Sequence, residues 1–258
     1  MLDGGETPRP DRTSSIATAH LPALDGPERQ PWPSANDLRG LIERSMPGCR
    51  PDTSLLLADL AVVRPIAREE MIFEQGEPVP MTLLIRGYGA FRRTTVDGTR
   101  LTVGIANPGE VYGITAIAAT VASVELVALT DGLAASWKGS EVRTMAATDA
   151  GFAVDVIDRL ALFLTIITEK VDGFLHQDAR RRVIRVLARH RDLFFGDPAI
   201  LSRAHLPGLV GTSREMTGRV LRELERDGTL LRVGRTGLQL VRPDQLDPDA
   251  ARPSRRAS

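Results

Sequence analysis

Ala153, Ile157, Leu160, Leu164, Ile167, Val171 and Phe174 recur with successive gaps of 4, 3, 4, 3, 4 and 3 residues. A strand repeats every two residues and cannot carry that rhythm, so the stretch must be one long helix with a single apolar seam. Most apolar faces pack on their own domain, but alternating 3 and 4 spacing over about three heptads favours a partner helix. The seam of Ile157, Leu160, Leu164, Ile167 and Val171 therefore predicts a homodimer, with residues 150–177 as its dimerisation helix. That helix also divides the chain, and the two sides differ in texture and in charge.

On the near side, residues 37 to about 60 carry two short helical patterns, "DLRGLIERSM" and "DTSLLLADLAVV". Short apolar runs follow, broken by glycine at 76, 87, 89, 98, 104, 109 and 113, with a hairpin-type pair at Asp97-Gly98. Several short strands separated by turn residues predict an antiparallel β-roll of jelly-roll type, with strands over roughly 62–137 in a domain spanning 37–149. The most apolar window, Gly113–Thr130, holds Glu125 and is dominated by Thr, Ala and Val, which suits buried strand and turn and not a membrane span. The fold class is thus α+β.

The formal net charge of zero would argue against a polyanionic partner if the charges were evenly spread. From Asp178 onward, however, the chain has 17 Arg and no Lys against 10 Asp and Glu, whereas the rest has 16 basic against 23 acidic residues. Such asymmetry is the footprint of a C-terminal nucleic-acid-binding module, because neutralising phosphates supplies most sequence-independent affinity. Residues 1–36 and 247–258 are rich in Pro, Ser and charge without an apolar period and are expected to be disordered.

Cys49 is the single cysteine, which excludes an intramolecular disulfide and a four-cysteine metal or iron–sulfur site within one chain. With no signal-peptide pattern at the start, a reducing cytoplasm is the expected location. The four histidines, His20, His176, His190 and His205, form no pair at metal-ligand spacing. An enzyme built on a β-roll, such as a cupin-like metal oxygenase, would need a His and carboxylate cluster that the strand segments lack. His176, near the end of the long helix, is the one candidate for a haem or pH role, and a structural histidine is the commoner case.

The far side, 178–246, opens with the basic helical segment "HQDARRRVIRVLARH", and "FFGDPAI" marks a break. In "GTSREMTGRVLRELERDG", residues 211–228, Thr217, Val220, Leu221 and Leu224 fall on one buried stripe, and Arg214, Glu215, Gly218, Arg219 and Arg222 on the opposite face. Thr212 or Ser213 is a natural N-cap after the tight turn at Gly211. Upstream, "LSRAHLPGLVG" has Ser202 as a possible cap and Leu206, Leu209 and Val210 as apolar positions, so the segment is helix, glycine turn, helix. Downstream, "TLLRVGRTGLQLV" is a hairpin wing with Arg232 and Arg235 available for phosphate. Arg at the start of such a helix can bond guanine O6 and N7, and Glu can accept from cytosine N4, which makes Arg214, Glu215 and Arg219 a readout set. Thr212-Ser213-Arg214-Glu215 equally fits a capping box in which Glu215 folds back on the cap amide, and these residues alone leave the two uses of Glu215 open.

The segment 211–228 resembles the recognition segment of the Crp/Fnr family of bacterial transcription regulators. "IFEQGE", "LLIRGYGAFRR" and "DGTRLTVGIANPGEVYG" resemble that family's cyclic-nucleotide-binding-like sensor, and the likeness extends over roughly 38–243. It implies a cytoplasmic homodimer that binds a palindromic operator on double-stranded DNA, works with RNA polymerase, and is not an enzyme. The positions matching Arg214, Glu215 and Arg219 contact bases in that family, which favours the base-reading use of Glu215. Thr212, Ser213, Arg222 and Arg235 are the expected phosphate contacts.

This chain departs from the family at three places. Met216-Thr217 stands where Thr then Val is usual, putting a hydroxyl on the packing side. Pro207-Gly208 falls in the first helix of the motif, which must be kinked or begin at the proline. In the sensor, members that bind cyclic nucleotides hold the ribose with Glu and the phosphate with Arg. Here Ile114 occupies the Glu position, no Arg lies between Arg100 and Arg143, and Thr168 on the long helix lies where the family can touch the base but cannot replace that clamp. An anionic phosphate would be buried without a cationic partner, so no conventional cyclic nucleotide is expected and no cofactor is assigned, with haem or another small effector left open. A remaining alternative is a dimeric interaction module with a weakened DNA-binding domain.

Overall fold

The computed structural model describes residues 33–246. The tails expected at 1–36 and 247–258 lie outside that range except for residues 33–36, and there helix α1 (Ala35–Ser45) already begins. Ser34 caps it, accepting from the Asp37 amide at 3.2 Å, while Asp37 accepts from the Ser34 amide at 2.9 Å, a reciprocal capping box. Helix α2 (Pro51–Leu60) follows, with proline in its first turn, where no amide hydrogen bond is lost.

Eight strands form two four-stranded antiparallel sheets. They are β1 (Val62–Ile66), β2 (Met71–Phe73), β3 (Met81–Arg86), β4 (Gly89–Thr94), β5 (Arg100–Ala106), β6 (Val111–Tyr112), β7 (Glu125–Ala128) and β8 (Gly132–Trp137). One sheet has the order β1-β8-β3-β6 and the other β2-β7-β4-β5, the jelly-roll-like arrangement the glycine spacing called for. At the β4–β5 hairpin the Asp97 carboxylate accepts from both the Thr95 and Thr99 hydroxyls, and Gly98 takes φ 79°. The interior is filled by Leu83, Leu126, Leu133 and Trp137, and by Phe91, whose ring meets those of Phe73 and Tyr112 at 6.5 and 5.2 Å. Trp137 ties the roll to α2, its indole N–H donating to the Leu57 carbonyl at 2.7 Å. The Gly113–Thr130 window is turn and strand as expected, and among the described residues no helix is long and apolar enough to cross a membrane.

After α3 (Gly139–Thr148) comes α4 (Ala150–His176), 27 residues long and unbroken. Its N-terminus is riveted to the α1–α2 loop. The Asp149 cap accepts from the amides of Arg50, Gly151 and Phe152, and Asp155 accepts from the Gly48 amide at 2.8 Å. Burial alone would raise the Asp149 pKa, but bonds from the Arg50 amide, the Thr53 hydroxyl and the Phe152 and Gly151 amides outweigh it and hold the group at about 2.

The basic segment folds as α5 (Ala179–Arg189), capped by Asp178, α6 (Arg191–Phe195), α7 (Leu206–Val210) and α8 (Arg214–Arg226), followed by the hairpin β9 (Leu230–Val233) and β10 (Gly237–Leu240). A second core gathers Val183, Leu187, Phe194, Leu206, Val220, Leu221, Leu224, Leu230 and Leu238.

Candidate nucleic-acid interface

Helix α7 begins at Leu206, with His205 as its N-cap residue and Pro207 second in its first turn, where the proline breaks no helix interior. Ser202 is not a cap. Its amide donates to His205 Nδ1 at 3.0 Å, and residues 203–205 form a turn ahead of the helix. Burial lowers the His205 pKa, which suits a ring nitrogen that accepts this bond.

Gly211 ends α7 in the left-handed region, at φ 67°, and the Thr212 amide bonds back to the Pro207 carbonyl at 3.0 Å. Thr212 therefore still belongs to the turn. Ser213 caps α8, its Oγ accepting from the Met216 amide at 3.0 Å. With Ser213 as cap, Glu215 is the second helical residue and Met216 the third, so the reciprocal box does not form. The Glu215 side chain is instead 85% exposed, with its nearest cation Arg219 at 3.8 Å.

Thr217, Val220, Leu221 and Leu224 are buried as the spacing required. The Thr217 hydroxyl donates to the Ser213 carbonyl at 2.9 Å, which satisfies it on the packing side and removes it from any external contact. Arg214, Glu215, Arg219 and Arg222 are exposed on the opposite face. Arg226 joins them, since Arg219, Arg222, Glu225 and Arg226 line a shallow cationic depression of about 360 Å³. The sequence reading missed Arg226, although its i, i+4, i+7 relation to Arg222 and Arg219 was available. The wing carries Arg232 and Arg235, both exposed, with the Arg232 guanidinium donating to the Arg235 carbonyl at 3.3 Å.

On α4, Ile157 and Leu164 are 60% and 64% exposed, and Ile167 and Val171 are also open. Leu160 differs, being half-buried against the roll's core. Phe174, last in the 3-4 series, lies with its ring against Gly211 and the Arg182 guanidinium 5.5 Å from its centroid.

In the roll, Gly113 takes φ 69° and Ile114–Ala118 form a 3-10 turn, with Ala116 and Ala122 buried and Ile114 packed on the core. Thr168 spends its hydroxyl on the Leu164 carbonyl at 2.9 Å. His176 is exposed and pairs with Asp172 at 2.9 Å, while burial, aided by Arg189 and Lys170, pushes the His190 pKa down to about 4. The buried Cys49 thiol is pushed up to about 12 by burial and by Asp149 and Asp155. Among the described residues no three His, Cys, Asp or Glu side chains group as a metal site would need.

Residues 63–149 match the cyclic nucleotide-binding domain family. No curated protein sequence matches the chain. Among solved structures, FixK2 from Bradyrhizobium japonicum is similar at TM-score 0.61 and 21% identity, over 72% of this chain and 95% of that one. The c-di-GMP responsive global regulator CLP of Xanthomonas campestris is similar at TM-score 0.61 and 24% identity, over 79% and 99%. A CRP/FNR-family transcriptional regulator from Thermus thermophilus is similar at TM-score 0.60 and 19% identity, over 71% and 95%.

Proposed function

From a cyclic nucleotide-binding domain carried on the fold of CRP/FNR-family regulators, we propose that the protein is a sequence-specific, DNA-binding transcription regulator acting as a homodimer on a palindromic operator. The observation that carries this reading is the two-faced α8. One face is locked into a core by Thr217, Val220, Leu221 and Leu224, and the other holds Arg214, Glu215 and Arg219 exposed at its capped N-terminal end.

Arg214 and Arg219 are suited to bidentate bonds to guanine, and Glu215, free of any capping duty, to accepting from cytosine. Thr212 and Ser213 at the helix N-terminus, with Arg222, Arg226 and Arg235, are suited to phosphates that fix register. Exposed Ile157, Leu164, Ile167 and Val171 supply the seam for the second copy, which sets two α8 helices for successive major grooves. RNA polymerase is the further partner we propose. The sensor's effector is not a conventional cyclic nucleotide, since Ile114 and the absence of Arg between Arg100 and Arg143 leave a phosphate without an arginine partner, and it is another small molecule or none. Pro207 had favoured a weakened reader, and its place in the first turn of α7 removes that ground.

Selection of bound fragments from genomic DNA with purified protein and no added ligand is expected to yield a palindromic motif. Arg219→Ala is then expected to cost about 1–3 kcal/mol at that motif and little on unrelated DNA. Equal loss on every sequence would overturn the base-reading role.

A further inference from the structure

Strand β5 is the open edge of its sheet, paired only with β4. An uncovered edge offers unpaired backbone groups to any passing strand. Here it is covered from within the chain by the very elements that carry α8. Gly208 of α7 sits on the Thr102 backbone so closely that a Cβ there would lie 2.8 Å from the Thr102 nitrogen and nearer still to its oxygen. Lys170 of α4 donates to the Val103 carbonyl at 2.6 Å. Ala90 and Leu129, from the roll, are buried in the same core as Leu206, Leu209 and Val210, with Tyr88 and Ile105 packed beside them. On the far side of α7, Gly211 admits the Phe174 ring where any Cβ would collide.

These contacts grip the support helix and leave Arg214, Glu215, Arg219 and Arg222 exposed, so they mount the reading face without covering it. We propose that the β5 edge is a latch that holds the DNA-binding domain in its reading orientation without a ligand, with Gly208 and Lys170 as positioning residues. The proposal rests on the DNA-binding reading above, and its test separates the two.

Gly208→Ala is the sharper variant, because alanine is the better helix former and improves α7 while its methyl overlaps Thr102. Spin labels on Val96→Cys and Gln239→Cys, both exposed, report the separation of roll and wing, and buried Cys49 does not compete for label. A single narrow distance distribution is expected, broadened by Gly208→Ala, and a broad distribution in the parent overturns the latch whether or not DNA binds. At the selected operator, Gly208→Ala is expected to lose roughly tenfold or more in affinity with unrelated DNA unaffected, and Lys170→Met, which keeps the stem, a smaller factor in the same direction. Tighter operator binding by either variant would mean that the contact restrains the reader, and would overturn the proposal. Unchanged affinity despite a broadened distribution would overturn it as well. A parent that selects no motif but keeps the narrow distribution sinks the DNA-binding reading and, with it, the reading orientation the latch is said to hold.

Discussion

Gly113 in the roll and Gly211 between α7 and α8 both adopt left-handed backbone, at φ 69° and 67°, and each is followed within three residues by a helical turn. After Gly113 come Ile114, Thr115, Ala116 and Ile117, with the isoleucines packed on the core. After Gly211 come Thr212 and Ser213 and then Arg214 and Glu215, all turned outward from the second core. Glycine and apolar packing thus build both turns, and the few residues that follow decide whether a turn has any charge to offer a ligand.

Acid should separate the two halves most strongly. At the end of α5 the half-buried His190 has its pKa held at about 4, below its ordinary 6.5, chiefly by burial. Between those values the unfolded chain binds a proton that the folded one refuses, so stability is full above about 6.5 and is lost as the pH falls towards 4, by at most about 3 kcal/mol. The roll's anchor weakens in the same sense but in a lower pH window. Asp149, held near 2, contributes above its ordinary 3.8 and loses that contribution only as the pH falls through 2. Thermal unfolding at pH 7, 5.5 and 4.5 is expected to show the C-terminal half weakening first, and His190→Gln to flatten that dependence. A roll that melts before the C-terminal half would contradict this order.

A smaller effect tests how the outward face of α8 divides its work. Arg222→Ala is expected to weaken binding by under about 1 kcal/mol, equally on operator and unrelated DNA, and to reduce the salt slope by about one. Titrations at several salt concentrations measure both. A loss confined to the operator would move Arg222 from the phosphate contacts to the base readers.

Much of this was legible because it depends on local periodicity. The 3-4 spacing from Ala153 to Phe174 located α4, and the stripe of Thr217, Val220, Leu221 and Leu224 located α8 and its buried side. The cap was ambiguous by one residue, since Thr212 and Ser213 are both good caps. The turn closed by the Thr212 amide on Pro207 decided it and freed Glu215. Pro207-Gly208 was misleading for a different reason. Its glycine answers to Thr102, far away in the chain, and no local pattern encodes a contact between a strand edge and a distant helix. Leu160 and Phe174 follow the same rule, each keeping its place in the seam while packing on a part of the chain that the spacing does not mention.

The smallest expected effect is the absence of one, and it bears most directly on the two glycine turns. A ligand present at a hundred times its dissociation constant stabilises a folded protein by about 2.7 kcal/mol, enough to raise the melting temperature by several degrees in a domain of this size. Cyclic AMP at millimolar concentration would reach that excess for any site of ordinary micromolar affinity. Its phosphate needs a cation at short range, and the turn after Gly113 offers Ile114, alanines and threonines. Thr168, which could have met the base, already bonds its own helix. The melting temperature is therefore expected to stay where it is. A clear rise would mean that the roll binds the nucleotide through groups other than an arginine, and the contrast between a turn that offers charge and one that does not would fail.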